Sequence, residues 1–166
     1  MPFDDLFQQH FAFVWRCLRV LGVREADIDD VTQEVFMVAH RRLADFQPDQ
    51  AARPWLYGIL RNVVANHRRA VRRLRAREER LQHEPPPPSP QSPLEQLEAR
   101  EAVALVTRTL QKLTSAKREV FLLVELEQLP VPEVATALEI PVNTAYSRLR
   151  LARADFQAAL LKEARS

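Results

Sequence analysis

A run of prolines divides the sequence into two parts. Residues 83–93, HEPPPPSPQSP, contain six prolines, which lack an amide donor and favour extended polyproline geometry over any packed element. We interpret the segment as a linker, because so long a structureless connection is uncommon within a compact domain. At about 3.1 Å per residue it spans roughly 30 Å as a semi-rigid spacer. The sequence therefore predicts two small domains, 1–82 and 94–166.

Both domains are predicted to be helical. The chain has only two glycines in 166 residues, and no alternating apolar and polar run is long enough to indicate a sheet. Apolar residues at three- and four-residue spacing predict three helices in the first domain and four in the second. The predicted buried positions of the first helix are Phe3, Phe7, Phe11, Val14, Leu18 and Leu21. The second helix is expected over about 27–45, and the third is expected to begin near Pro54 and to bury positions as late as Leu74. The fold class is therefore all-α: two small helical domains joined by a Pro-rich linker.

Several classes of protein are excluded by simple features of the sequence. The single cysteine, Cys17, rules out a disulfide within the chain. The four histidines lie far apart without ligand spacing, so no metal or other cofactor is expected. The first residues show no signal pattern and the apolar runs are too short to cross a bilayer, which predicts a cytoplasmic protein without membrane insertion. No Gly-rich phosphate loop is present, which agrees with a protein that is not an enzyme.

Residues 129–156 have the pattern of a helix-turn-helix. A first helix is expected to start at Pro132, and a turn at 139–142 leads into a second helix. In that helix Ala145, Leu149, Ala152 and Phe156 have the spacing of one buried stripe. The other face carries groups that can donate, accept and make apolar contacts with base edges. Its candidate DNA-binding residues are Asn143, Tyr146, Ser147, Arg148, Arg150 and Arg153. A solvated corner of a helical protein is the alternative explanation of this hairpin.

The third helix carries a concentrated positive charge. Residues 61–80 contain eight arginines and two glutamates, a balance of +6 in a chain of net charge +2. Asn62, Asn66, Arg69 and Arg73 fall along one edge of this helix. Amides can hydrogen-bond to bases, and guanidinium groups can form bidentate hydrogen bonds to phosphates. The edge is therefore a candidate nucleic-acid site, and a merely soluble basic surface is the alternative.

The second helix presents a largely acidic line on its outer face. Its members recur at helical spacing and are Asp30, Gln33, Glu34, Met37 and Arg41. This surface is suited to docking on a basic partner. Acidic residues early in a helix also simply favour the helix dipole, so the pattern alone leaves both interpretations open.

Taken together, these motifs resemble the sigma-70 class of bacterial sigma factors, in the extracytoplasmic-function (ECF) subgroup. Residues 29–73, with an acidic-Gln-Glu-x-Phe start and a Trp-Leu-Tyr segment followed by Arg61-Asn62, resemble sigma region 2. Residues 113–153, from LTSAKREVFLLVELEQL to SRLRLAR, resemble region 4. The two similarities occur in the right order across a linker, and the absence of other sigma regions is typical of the ECF type.

This resemblance implies a function and partners. Region 2 (1–82) is expected to bind core RNA polymerase, with the acidic line on the β′ clamp helices, and its arginine–asparagine edge with the preceding loop 47–53 is expected to open and recognise the −10 element of promoter DNA. Region 4 (94–166) is expected to recognise the −35 element through Tyr146, Ser147 and Arg150, with Arg148 and Arg153 at phosphates, and to contact the β flap. An anti-sigma factor is a further expected partner, which is expected to clamp together two domains that otherwise move independently.

Three positions depart from the family pattern. Glu139 stands where many relatives have a glycine in the hairpin turn, Pro130 stands where they have a Ser or Thr before the first helix, and Tyr146 stands where a basic residue is frequent.

Two other functions compete with this one. A helix-turn-helix repressor or activator without a sigma role is the main alternative, although no additional helix for dimerisation is evident. A helical adaptor that binds a partner through its acidic line is the second.

Overall fold

The computed structural model describes residues 1–79 and 95–166, with side chains in the second range described from residue 100. The linker predicted at 83–93 lies outside the described residues. Within them the chain folds into seven α-helices without strands. The all-α prediction, with three helices before the proline run and four after it, is confirmed. None of these helices combines the length and apolar character that crossing a membrane requires.

The N-terminal part, residues 1–79, is a three-helix unit. Its helices are α1 (Phe3–Val20), α2 (Glu25–Arg41) and α3 (Ala52–Glu78). Glu25 and Asp27 lie in the first turn of α2, where negative charge favours the helix dipole. The Arg24 Nε donates to Asp27 Oδ2 at 2.9 Å, which anchors the same turn. α2 ends at Arg41, earlier than the predicted end at residue 45, because Leu43–Asp45 tightens into a 3₁₀ turn.

The C-terminal part, residues 95–166, contains four helices. They are α4 (Glu95–Gln111), α5 (Ser115–Phe121), α6 (Val131–Ala137) and α7 (Val142–Ala164), and a π-helical turn, Leu122–Leu126, extends α5. The Arg118 guanidinium donates to the carbonyls of Leu110, Gln111 and Leu113 at 2.8–2.9 Å. These bonds satisfy carbonyls that the end of α4 leaves without helical partners. Arg118 thereby ties the start of α5 to the end of α4.

Two predicted core positions in α1 and one in α3 are wrong. Phe7 and Phe11 are each 38% exposed, because Leu6 and Phe13 face the core in their place. The predicted positions Val14 and Leu18 are fully buried. A run of phenylalanines four residues apart predicts an apolar face, but not which partner covers it. Leu74 is 53% exposed. The first half of α3 carries all of its buried residues, and the second half has no such cover.

The two parts are packed against each other. Their buried apolar residues form one continuous core, α6 packs on α3, and α4 packs on α1. The Gln111 Nε2 of α4 donates to the Val20 carbonyl of α1 at 2.5 Å. Gly22, which follows α1 with φ +87°, is needed at this contact, because a Cβ there would also lie 3.2 Å from Gln111 Oε1. The expectation of independently moving domains therefore does not describe this structure.

Candidate nucleic-acid interface

The helix-turn-helix consists of α6 and α7. Ala145, Leu149 and Ala152 are buried, and Phe156 stacks on Phe121 at 4.6 Å between ring centroids. The stripe predicted for the second helix of the hairpin is confirmed. The turn between α6 and α7 places Glu139 at φ +55°, in the left-handed region where a glycine has no steric penalty. Glutamate therefore adopts the conformation that a glycine would favour, and the hairpin keeps its shape with local strain.

The opposite face of α7 is open to solvent. Asn143, Tyr146, Ser147 and Arg150 are all exposed, and Tyr146 is 53% exposed. The neighbouring Leu151 is also outward-facing at 42%. Together they offer amide, hydroxyl, guanidinium and apolar groups, which is the range of chemistry that base edges in a major groove require. The structure thus brings four of the six candidate residues of the hairpin to one accessible surface.

The two remaining candidates of this helix lie differently. Arg148 is partly buried. Arg153 is exposed, but its Nε donates to Glu125 Oε1. A phosphate at Arg153 must therefore displace a carboxylate that already occupies the guanidinium. This ion pair could not be predicted from helical spacing, since Glu125 lies 28 residues earlier in the chain.

The basic edge of α3 is exposed along its whole length. Asn62, Asn66, Arg69 and Arg73 all face solvent. The Arg69 Nη2 donates to Asn66 Oδ1, and the Arg73 Nε donates to the Arg69 carbonyl at 3.4 Å. These contacts stay within the helix, so they orient the side chains without covering them. The edge retains free donors for phosphates and bases.

Other arginines of α3 contact the C-terminal part. Arg53, predicted at the end of a loop, lies in the first turn of α3, and its Nη1 donates to the Glu127 carbonyl oxygen at 3.2 Å. Arg61 Nε donates to Glu119 Oε1 at 3.0 Å. Neither the two glutamates nor Tyr57 could be identified from the sequence, because contacts between residues 58–74 positions apart leave no periodic signal.

Tyr57 links the same carboxylate to the core. Its ring is fully buried, and its hydroxyl donates to Glu119 Oε1 at 3.0 Å. Burial, followed by the nearby Glu119 charge, raises the pKa of Tyr57 well above its ordinary value of 10.0. The hydroxyl therefore remains protonated and acts as a donor at neutral pH.

The acidic line on α2 forms a separate exposed surface. Asp30, Gln33, Glu34, Met37 and Arg41 all face solvent, and Met37 is 52% exposed. Beside it lies a groove of about 630 Å³ between α1 and α2, to which Phe7, Phe11 and Phe36 contribute apolar walls. Gln33, Met37 and Arg41 also line this groove. The outer face of α2 thus combines an acidic surface with an adjacent apolar recess.

The described residues do not cluster in a way that suggests metal chemistry. Across 1–79 and 95–166, no group of three or more His, Cys, Asp or Glu side chains is placed to hold a metal ion. His67 approaches a single carboxylate, Asp27, with 3.6 Å between Nε2 and Oδ2. The surfaces that stand out are the exposed faces of α2, α3 and α7, which offer binding groups for macromolecules.

Comparison with known proteins gives consistent matches over both parts. A model described as Sigma-70 region 2 matches residues 6–74, and one described as Sigma-70, region 4 matches residues 103–156. RNA polymerase sigma factor NccH of Alcaligenes xylosoxydans xylosoxydans is 31% identical, and the alignment covers 95% of this chain and 86% of that protein. RNA polymerase sigma factor CnrH of Cupriavidus metallidurans is 32% identical with the same coverage.

Two further comparisons agree with these matches. The ECF RNA polymerase sigma factor SigC of Mycobacterium tuberculosis is 32% identical, with 84% of this chain and 73% of that protein covered. The solved structure of CnrH in complex with the cytosolic domain of CnrY superposes with a TM-score of 0.72 at 30% identity. That superposition covers 99% of this chain and 89% of CnrH.

Proposed function

The chain belongs to the sigma-70 family of RNA polymerase sigma factors, in its extracytoplasmic-function group, and we propose which of its exposed surfaces binds the polymerase and which bind promoter DNA. It binds core RNA polymerase and directs promoter-specific initiation through −10 and −35 elements. The observation that carries the proposal is the presence of exposed candidate binding faces on three different helices, α2, α3 and α7. The alternative of a repressor without a sigma role is not favoured by the comparisons.

We assign polymerase docking to the acidic line on α2. The set comprises Asp30, Gln33, Glu34, Met37 and Arg41, and its expected target is the β′ clamp helices. The exposure of all five residues supports the assignment. A mixed surface of carboxylates, an amide and a methionine suits an interface whose polar rim surrounds apolar contact.

We assign −10 recognition to the exposed edge of α3. Its residues are Asn62, Asn66, Arg69 and Arg73. Opening of the duplex is driven by capture, since a base flipped from the stack is held by the protein and binding offsets the few kcal/mol of unstacking. No covalent step by this chain is required. Sigma factors are generally non-enzymatic DNA-binding regulators, and we infer that the polymerase supplies all of the chemistry here.

We assign −35 recognition to α7, with α6 crossing the DNA backbone as the first helix of the motif. Asn143, Tyr146, Ser147 and Arg150 form the base-contacting set, and Arg148 and Arg153 are assigned to phosphates. The β flap is the expected polymerase contact of this part. We propose domain limits of 1–82 and 94–166 with a linker at 83–93, and a cytoplasmic location alongside the polymerase.

We also propose an anti-sigma factor as a partner. The proposal is supported by the similarity to CnrH, whose solved structure is a complex with the cytosolic domain of a second protein, CnrY. Such a partner would act by covering the α2 face or a DNA-contacting face. Transcription by the reconstituted holoenzyme should then fall on addition of the partner and recover when excess sigma factor is supplied.

The decisive test is in vitro transcription from a pool of upstream DNA fragments, with purified core polymerase and with or without this chain. Transcripts that start at defined sites only in its presence are expected. Absence of initiation together with tight duplex binding by the chain alone would overturn the proposal in favour of a repressor.

Matched variants test the docking assignment in the same assay. Glu34→Lys should abolish both initiation and co-elution with core polymerase while leaving the thermal melting temperature of the free chain nearly unchanged. Glu25→Lys is the control for initiation and co-elution, because nine residues at about 100° each place it on the opposite side of α2 with the same change in charge. Its own melting temperature should fall slightly, since it reverses a favourable charge in the first turn of α2. Equal loss in the two variants would refute the assignment of the α2 face.

A further inference from the structure

The ion pairs between the described residues of the two parts all place the cation on the N-terminal side and the carboxylate on the C-terminal side. On the N-terminal side these contacts use Arg16, Arg53, Arg61 and the hydroxyl of Tyr57, and on the C-terminal side they use two carboxylates, Glu119 and Glu127. We refer to these six residues as the latch.

Glu127 is the deeply placed carboxylate of the latch. Its side chain is 3% exposed, and Arg16 donates to it from Nε and Nη2, each at 2.9 Å. Arg53 Nη1 binds the Glu127 carbonyl oxygen and lies 4.0 Å from Oε2. The arginines keep 49% and 39% of their side-chain surface in solvent. The negative charge is thus buried while both cations remain within reach of another ligand.

Glu119 makes the second half of the latch. Arg61 donates to it from Nε at 3.0 Å and from Nη2 at 3.5 Å, and Tyr57 donates at 3.0 Å. The Arg61 side chain is 37% exposed, compared with 15% for Glu119. Here too, the carboxylate of the C-terminal part is more enclosed than the cation that binds it.

Two latch cations lie on α3, the helix that carries the −10 edge. Arg53 is the second residue of α3, after the loop 47–51, and Arg61 immediately precedes Asn62. A guanidinium binds either a carboxylate or a phosphate through the same bidentate, charge-assisted hydrogen bonds. Glu119 and Glu127 therefore occupy cations that suit a nucleic-acid backbone passing along α3.

We propose that Arg16, Arg53 and Arg61 form a phosphate-binding surface for DNA, which Glu119 and Glu127 cover in the closed chain, so that DNA and the C-terminal part compete for the same cations. This inference rests on the proposed function of the N-terminal part in binding −10 DNA. It goes beyond that function by assigning three more DNA contacts and a closed state that must open before they form.

The test uses the full chain and a short fluorescein-labelled single-stranded DNA of random sequence. Glu119→Gln with Glu127→Gln removes both competing charges, and Glu101→Gln is the control, since it makes the same kind of neutralisation at an exposed residue of α4. The double variant is expected to bind the DNA about tenfold more tightly than the parent in low salt. Small-angle scattering should show a larger radius of gyration, and circular dichroism should show unchanged helix content.

Salt dependence separates phosphate binding from a merely structural change. Three newly available arginines, each contributing about 0.7 to the slope of log K against log salt, should steepen that slope by about 2 in the double variant. Adding Arg16→Ala to the double variant should make the slope of log K against log salt shallower again by about 0.7. Arg16 lies on α1, outside the −10 edge, so its effect reports the proposed surface alone.

Three results would overturn the inference: unchanged affinity in the double variant, an equal gain in Glu101→Gln, or an unchanged salt slope. If the buried Glu127→Gln prevents folding, the same comparisons apply to Glu119→Gln alone, which neutralises the more accessible carboxylate. Failure of the proposed function is distinguishable, because the parent chain would then support no polymerase-dependent initiation, whereas failure of the latch leaves initiation intact.

Discussion

Arg16→Ala is predicted to destabilise the protein more than Glu127→Ala, although both variants remove the same ion pair. Loss of Arg16 leaves a carboxylate that is 3% exposed, with Arg53 Nη1 4.0 Å from its Oε2 as the remaining cation. Loss of Glu127 instead leaves two arginines that already reach water and can be rehydrated. The difference arises because an unpaired charge is costly only where water cannot replace its partner.

The magnitudes follow from the exposures. Removing one partner of a fully buried pair costs about 3–5 kcal/mol, and a hydrogen bond to a charged group contributes about 1.5–3 kcal/mol. Because Arg53 remains near the carboxylate, we expect Arg16→Ala to cost about 2–3 kcal/mol. Glu127→Ala should cost about 1–2 kcal/mol, since no buried charge is left unpaired. For a chain of this size, the Arg16 variant should melt about 4–12 °C lower.

Urea denaturation followed by circular dichroism tests this asymmetry. The double variant should lose no more stability than Glu127→Ala alone, because Arg16 has no partner once Glu127 is gone. Arg42→Ala is the control: its side chain is also 49% exposed, but it pairs with the exposed Asp45 at 3.6 Å, so about 0–1 kcal/mol is expected. Additive losses, or a larger loss for Glu127→Ala than for Arg16→Ala, would refute the reasoning.

Two further predictions concern strain and alkaline pH. Glu139→Gly should raise the free energy of unfolding measured in urea by about 0.5–1 kcal/mol, because relief of a left-handed φ exceeds the added entropy of the unfolded chain. Ala154→Gly, in the exposed face of α7, should lower the free energy of unfolding. A change in the same direction for both variants would contradict this explanation. Burial raises the pKa of Cys17 and of Tyr57 above their ordinary values of 9.0 and 10.0, so the unfolded chain loses these protons first. The free energy of unfolding should therefore fall as pH rises above about 9, and Cys17→Ala should reduce the early part of that fall, as urea midpoints measured against pH would reveal.

The local architecture could be predicted because it depends on short-range periodicity. Ala145, Leu149 and Ala152 recur at helical spacing, and the same residues are buried in α7. The acidic line on α2 and the edge on α3 were likewise found exposed as their spacing indicated. In each case the information lies within one helix, where neighbours three and four residues apart share a face.

Tertiary choices between equally apolar faces could not be predicted. Phe7 and Phe11 satisfy the helical period as well as the buried residues of α1 do, yet they border an open groove beside α2. The pairing of Arg16 with Glu127 joins residues 111 positions apart. No pattern in one sequence distinguishes such a pair from the many other arginines and glutamates on the surface.

The distribution of polar and apolar contact explains how a packed chain can still function across two promoter elements. A continuous apolar core favours the closed arrangement, whereas the polar contacts that fix its geometry are ion pairs with cations 37–49% exposed. Ion pairs of this kind can be exchanged for other charged partners, and under the proposed competition phosphates in DNA are the alternative partner of these cations. Phosphates of promoter DNA would then replace the carboxylates that these arginines lose when the two parts separate. The same arginines can thus stabilise a closed free chain and an extended chain on DNA.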